Sequence, residues 1–364
     1  MEKNIVNKRY EYIDLLKAVA IFFVIFYHFN NFTTNLLQTP NIISYFNYFL
    51  KSILSTCVPI FFFANGALLL NKEFKLKKHV FKLITITILT VAWGIITLLI
   101  LMPIKNEYMS SIDLAKSLWT WKQGWINHLW FLQALVVIYM FFTLIKTTYD
   151  NNINNLYFFL AIVFFMTFGN VFLSNCANVL EFIIHKNYLK DTFNFFNNFN
   201  AFRNIYGYSF VYFILGAMFL KHEEKFYEKK WVTIAISIIV TSMILLASYG
   251  VVMSKSNGEM YDIVWNGYDT IPTLCMVIAL FILALRYKGK NRLSKVVTTI
   301  SKDSLGIYFV HIIWGNLFIK YFKQVPYSHN IIINLLFAIF ILLISLLSVL
   351  LLKKIPVVRG LFSM

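Results

Sequence analysis

The sequence predicts an all-α, polytopic integral membrane protein of about ten transmembrane helices, and three observations predict it. Hydrophobic residues fill 59% of the 364 positions and charged residues only 13%, about half the charged share of an ordinary globular domain. Apolar runs near the ~20 residues needed to cross a hydrocarbon core recur along the whole chain. Lysine and arginine collect in alternate connections between these runs, as they do in the cytoplasmic loops of membrane proteins.

The spans fall at approximately 12–29, 50–70, 80–102, 129–146, 155–173, 205–220, 231–253, 271–286, 304–322 and 331–352. The second contains Pro59 and the ninth His311, so these two are the least regular. With a cytoplasmic N-terminus, the inner segments are 1–11, 71–79, 147–154, 221–230, 287–303 and 353–364. Lys72, Lys75, Lys77 and Lys78 cluster in one of them, Lys221, Lys225, Lys229 and Lys230 in another, and Arg286, Lys288, Lys290, Arg292 and Lys295 mark a third. Both termini are therefore expected on the cytoplasmic side. The +17 formal charge then encodes topology, and no nucleic-acid partner is expected. No long polar stretch offers room for a soluble domain, so residues 1–364 read as one membrane domain. The first run is long and lacks a small-residue cleavage site, which makes it a retained span. Cys57, Cys176 and Cys275 form no CxxC pair, and only Cys176 falls in an expected outer loop. Neither a disulfide framework nor a metal site follows.

Ionisable groups inside a bilayer are costly and mark function by default. Span one holds Asp14, Lys17 and, near its outer end, His28. Lys17 and His28 are eleven residues apart, so they share nearly one helix face at roughly 16 Å along the axis. That stripe suits a long ligand threaded along the helix. It equally suits a Lys17 that snorkels to the interface beside Asp14 and a His28 at the membrane edge. Three further segments have the same character: Val58–Gly66 with Asn65, Asn127–Leu132 with His128 and Trp130, and Ser301–His311 with Tyr308. Histidines on three separate helices converge less often by chance than one alone, and a histidine can serve as a general base. Trp119, Trp121 and Trp125 suit an interfacial aromatic belt first and an acceptor-site wall second.

At these residues the chain resembles the membrane acyltransferase-3 family of bacterial O-acyltransferases, over nearly its whole length. The family's first span carries Asp-x-Leu-Arg and a histidine eleven residues beyond the arginine; this chain has Asp14-Leu15-Leu16-Lys17 and His28. Val58-Pro59-Ile60-Phe61-Phe62 leading to Asn65-Gly66 matches the second span, Leu129–Leu132 the Leu-Trp-Phe-Leu signature, and Ser301 through His311 the closing motif. Lys17 stands where the family has arginine, keeping the charge without the planar fork, and Asn65 stands where it has serine. The chain looks like the stand-alone form, without the hydrolase-like domain fused to some relatives.

The resemblance implies transfer of an acyl group, most often acetyl, from cytoplasmic acetyl-CoA or another acyl-CoA to a hydroxyl of a surface or lipid-linked glycan, in the bacterial plasma membrane. His28 would act as general base or as an acyl carrier, with Asp14 holding Lys17. Asn65, His128 or Tyr308 would donate to the oxyanion. Lys17, Lys72, Lys75, Lys77, Lys78 and Lys82 would meet the donor's phosphates, although ordinary positive-inside charge accounts for the same cluster. Trp130, Arg203 and His311 complete the expected substrate contacts, Arg203 as a grip on an acidic sugar or as an interfacial anchor. His311 otherwise bonds a neighbouring helix. The expected partners are acyl-CoA, the glycan and the bilayer, with homodimerisation left open. A glycan flippase or exporter is the non-enzymatic alternative, but no Gly- or Pro-interrupted pair of half-spans supports it. A lipid-sugar glycosyltransferase needs acidic residues in the first outer loop, and Phe29–Leu50 contains none.

Overall fold

The computed structural model describes residues 9–362 except 33, 121–123, 186–199, 203–205 and 290–291. Among the described residues no strand occurs, and helices run back and forth between two ends. They are α1 (Glu11–His28), α2 (Ile42–Lys51), α3 (Cys57–Leu70), α4 (Leu76–Lys105), α5 (Ser111–Trp119), α6 (Trp130–Asn151), α7 (Ile153–Phe164), α8 (Asn170–Ile184), α9 (Tyr208–Lys221), α10 (Lys230–Asn257), α11 (Ile271–Ala284), α12 (Arg292–Phe322), α13 (Ile331–Leu352) and the short α14 (Pro356–Arg359).

Every predicted span lies largely within one helical unit. A 3-10 turn at Ser52–Thr56 joins α2 to α3, and a π turn at Phe165–Gly169 joins α7 to α8. Among the described residues, seven units are long and apolar enough to cross a membrane. Of the other three, α9 and α11 are shorter, with 14 residues each, and α1 carries Glu11, Asp14 and Lys17. The outward faces are apolar: Leu343 and Leu347 of α13, Ile236 of α10 and Phe158 of α7 are all exposed. Apolar side chains turned outward over whole helices are what lipid requires. Pro59 does not break α3, because it falls in the first turn, where its missing N–H has no intrahelical partner to lose.

Several boundaries differ from expectation. The expected inner segment 287–303 mostly belongs to α12, whose polar first turns extend the apolar helix. The expected outer loop around Cys176 is helical, so Cys176 lies on α8. The stretch before His128 contains a short helix, α5, capped by the Ser110 side chain on the Asp113 N–H.

Charged as it is, α1 is the axis of the bundle and packs against α3, α11, α12 and α13. Ile13, Ala20, Ile21, Val24 and Ile25 are sealed in that contact. Beside it α3 and α9 cross with their backbones touching. A Cβ on Gly66 would lie 1.7 Å from the Phe213 carbonyl oxygen, and one on Gly216 would lie 2.0 Å from that of Phe63. Small residues permit such close approach where lipid supplies no hydrophobic drive between helices.

Candidate active site

Three histidines converge from separate elements. His28 ends α1, His128 sits in the 3-10 turn leading into α6, and His311 lies on α12. The His311 ring centroid is 5.7 Å from that of His28 and 5.8 Å from that of His128. Tyr308, one turn before His311 on the same face, completes the group at 5.7 Å from both His128 and His311. Its hydroxyl donates to the His128 carbonyl.

Hydrogen bonding assigns part of the chemistry. His311 Nδ1 lies 2.6 Å from the Tyr308 carbonyl oxygen. A carbonyl only accepts, so Nδ1 carries the proton and Nε2 offers a lone pair. That Nε2 and both ring nitrogens of His128 are buried with no hydrogen-bond partner. Leaving such a group unpaired costs about 1–3 kcal/mol each, and a hydrogen-bonding ligand between the rings would recover it. His28 is exposed, and its exposure is into a cavity.

That cavity, of about 510 Å³, opens at the end away from the lysines. Tyr27, His28, Trp125, His128, Trp130, Asp262 and Trp265 line it, with Asn127 and Asn316. A second cavity, of about 390 Å³, opens at the basic end and is lined by Lys17, Lys82, Lys302 and Lys353, with Asn65, Ser304, Phe131, Tyr308 and Phe362. Tyr308 faces the basic cavity and His128 the far one, so one pair of hydrogen-bonded residues separates them.

The basic cavity is held by a relay. Arg9 Nε donates to Asp14 Oδ2 at 2.6 Å, Ser301 Oγ donates to Asp14 Oδ1 at 2.6 Å, and Lys17 Nζ donates to the Ser301 carbonyl at 2.9 Å. Asp14 acts on Lys17 through its charge and through Ser301: Asp14 binds Arg9 and Ser301, and Ser301 receives Lys17. Lys353 pairs with the buried Asp303. Two unit charges ~8 Å apart at an effective dielectric of ~20 repel by about 2 kcal/mol, so several ammonium groups around one cavity favour a polyanion.

The expected lysine cluster divides. Lys82 lines the cavity, and Lys72 is close enough to act on its charge. Lys75 pairs with Glu73 at 3.3 Å, while Lys77 and Lys78 are exposed outside the cavity lining. Asn65 lines the basic cavity, its amide donating back to the Phe61 carbonyl at 2.9 Å. That position is on the basic side of Tyr308, in the cavity that none of the three imidazoles lines. His311 bonds within its own helix rather than to a neighbouring one. The tryptophans part company: Trp125 is buried in the far lining, whereas Trp119 is 88% exposed. Arg203 and Trp121 lie outside the described residues.

Sequence reasoning missed Asp262, Lys302, Lys353 and Phe362. Asp262 lies in the connection between α10 and α11, and a carboxylate in an outer loop was its only signal. Lys302 lies inside the closing motif, directly after Ser301, and its charge alone marked it. Phe362 gave no signal, because its burial depends on a return of the chain: the Trp93 indole donates to the Leu361 carbonyl at 2.8 Å and brings the two rings to 5.3 Å.

The acyltransferase-3 family model, described as an acyltransferase domain, covers residues 10–354. No curated protein and no solved structure matches the chain.

Proposed function

This chain belongs to the acyltransferase-3 family, and from that premise we propose that it transfers an acyl group from acyl-CoA to a hydroxyl of a surface or lipid-linked glycan in the bacterial plasma membrane. The observation that carries this is the pair of cavities, lysine-lined on one side and aromatic on the other, separated at Tyr308 and His128 beside His28 and His311.

The donor's phosphates sit among Lys17, Lys82, Lys302 and Lys353 at the cytoplasmic end, and its thioester arm passes Asn65 and Phe131 toward Tyr308. The acceptor enters from the other face. A neutral His28 takes the hydroxyl proton as the acceptor oxygen bonds to the thioester carbonyl carbon. The tetrahedral oxyanion receives a hydrogen bond from the His128 ring, whose N–H has no competing protein partner. The C–S bond then breaks, and the leaving thiolate recovers the proton from the His28 imidazolium. Positioned base catalysis of this kind contributes about 10²–10⁴-fold. In an alternative sequence His28 itself becomes acylated before the acceptor attacks.

Radiolabelled acetyl-CoA and mixed surface glycans, presented to wild type and His28→Ala in lipid, test the reading. Label should reach glycan in wild type and fall by at least about a hundredfold in the variant, with CoA binding retained. A protein that binds no acyl-CoA refutes acyl transfer, and label on His28 in the absence of acceptor selects the covalent route.

A further inference from the structure

The far cavity has a chemistry of its own. Trp130 is its hub, with Trp265 edge-on at 5.2 Å and Tyr268 stacked at 5.6 Å. Trp125 and the Asn127 and Asn316 amides extend the lining. Apart from the imidazoles of His28 and His128, the ionisable groups among its described lining residues are the Asp262 carboxylate and the Tyr27 phenol. Asp262 is held rigidly. Its Oδ1 accepts the Val264 N–H at 3.0 Å and the Trp265 N–H at 3.3 Å, and its Oδ2 accepts the Tyr27 hydroxyl. Three of about four acceptor positions on the carboxylate are taken, which leaves it able to receive one more donor. Two lysines stand behind this wall without lining it: Lys51 lies within the field of Asp262, and Lys105 sits 5.6 Å from the Trp125 ring centroid.

We propose that the sugar accepted in the far cavity is uncharged, and that Asp262 selects it. The inference rests on the acyl-transfer reading and adds to it the class of acceptor. Indole faces take the C–H faces of a pyranose, and the two amides serve its hydroxyls. An acceptor-only carboxylate rewards a hydroxyl donor and repels a uronate or a phosphate. This is the opposite of the acidic sugar that Arg203 suggested in the sequence.

The test compares cellotetraose with its C6-carboxylated counterpart on the full-length protein in lipid nanodiscs. Two readouts are taken: quenching of tryptophan fluorescence, and label transfer from radiolabelled acetyl-CoA. Wild type should favour the neutral sugar by about tenfold in both. Asp262→Asn keeps Oδ1 as an acceptor for the two backbone N–H groups, and it should shrink that preference several-fold by improving the carboxylated sugar. Equal or reversed preference in wild type overturns the inference, as does quenching by neither sugar. A reversed preference abolished by Arg203→Ala assigns the acceptor to Arg203 instead. Charge-selective quenching without label transfer upholds selection of a neutral sugar by Asp262 and separates it from the acyl-transfer reading, which acyl-CoA binding decides.

Discussion

Gly66→Ala is the smallest change that should dismantle the site from a distance. The added Cβ would fall 1.7 Å from the Phe213 carbonyl oxygen, whereas ordinary contact begins at 3.4 Å. The obstacle is backbone on both sides, so no side chain can rotate away, and α3 and α9 must part by about 1.7 Å. Inserting a methyl into a well-packed interior costs about 1–3 kcal/mol where side chains adjust, and a contact between two backbones belongs at or above the top of that range. The displacement reaches the chemistry because α3 also carries Asn65 and packs Phe62 on Phe131 at 4.9 Å, beside Tyr308. The midpoint of thermal unfolding in lipid nanodiscs should fall by about 4 °C or more, and acyl transfer by at least about tenfold. Gly216→Ala, with its Cβ 2.0 Å from the Phe63 carbonyl oxygen, should reproduce both effects. If either variant unfolds within about 1 °C of wild type at full activity, the two helices do not pack backbone to backbone, and the explanation of Gly66 fails.

Three further outcomes follow from the same geometry. Lys302→Ala removes an exposed ammonium from the basic cavity, so KM for acyl-CoA should rise about fivefold with kcat unchanged. The increase should shrink at high salt, and an unaltered KM would exclude Lys302 from donor binding. Phe362→Ala takes away the ring that anchors the returning C-terminal segment against Trp93. Loss of about 2–3 kcal/mol of burial should speed tryptic cleavage after Lys354 and Arg359 by tenfold or more, and cleavage at the wild-type rate would show that the segment is held some other way. Asp269, in the connection before α11, is pushed by burial up to about 6. Its folded-state pKa is raised, so the protonated form is favoured in the fold, and stability present below pH 4 declines as pH climbs through 6. The loss is bounded by about 3 kcal/mol. Asp269→Asn should therefore flatten the pH dependence of the unfolding midpoint between pH 4 and 7, and an unchanged profile would place the titration elsewhere.

The helices were legible because lipid allows the backbone few alternatives. A chain that must satisfy every N–H and C=O without water forms helices wherever about 20 apolar residues run together, and the helical units lie where those runs do. The first span was legible despite its charges, since Asp14, Lys17 and His28 stand on an otherwise apolar helix. Boundaries were less so. The polar start of α12 is helical because Ser301 and Asp303 find partners in Asp14 and Lys353, and those partners are distant in sequence.

The order of four motifs along the chain identified the family, and periodicity put Lys17 and His28 on one stripe of α1. Both follow from local spacing, which a sequence records directly. Only the tertiary structure decided that His28, His128 and His311 meet, that Lys302 and Lys353 join Lys17 while Lys77 and Lys78 turn away, and that Asp262 lines the same cavity as His28 and His128. These groups are brought together by the way whole helices cross, and crossings such as that at Gly66 and Gly216 depend on the shapes of two surfaces at once. No single stretch of sequence carries that information, so the family could be named from the chain but the geometry of the site had to be seen.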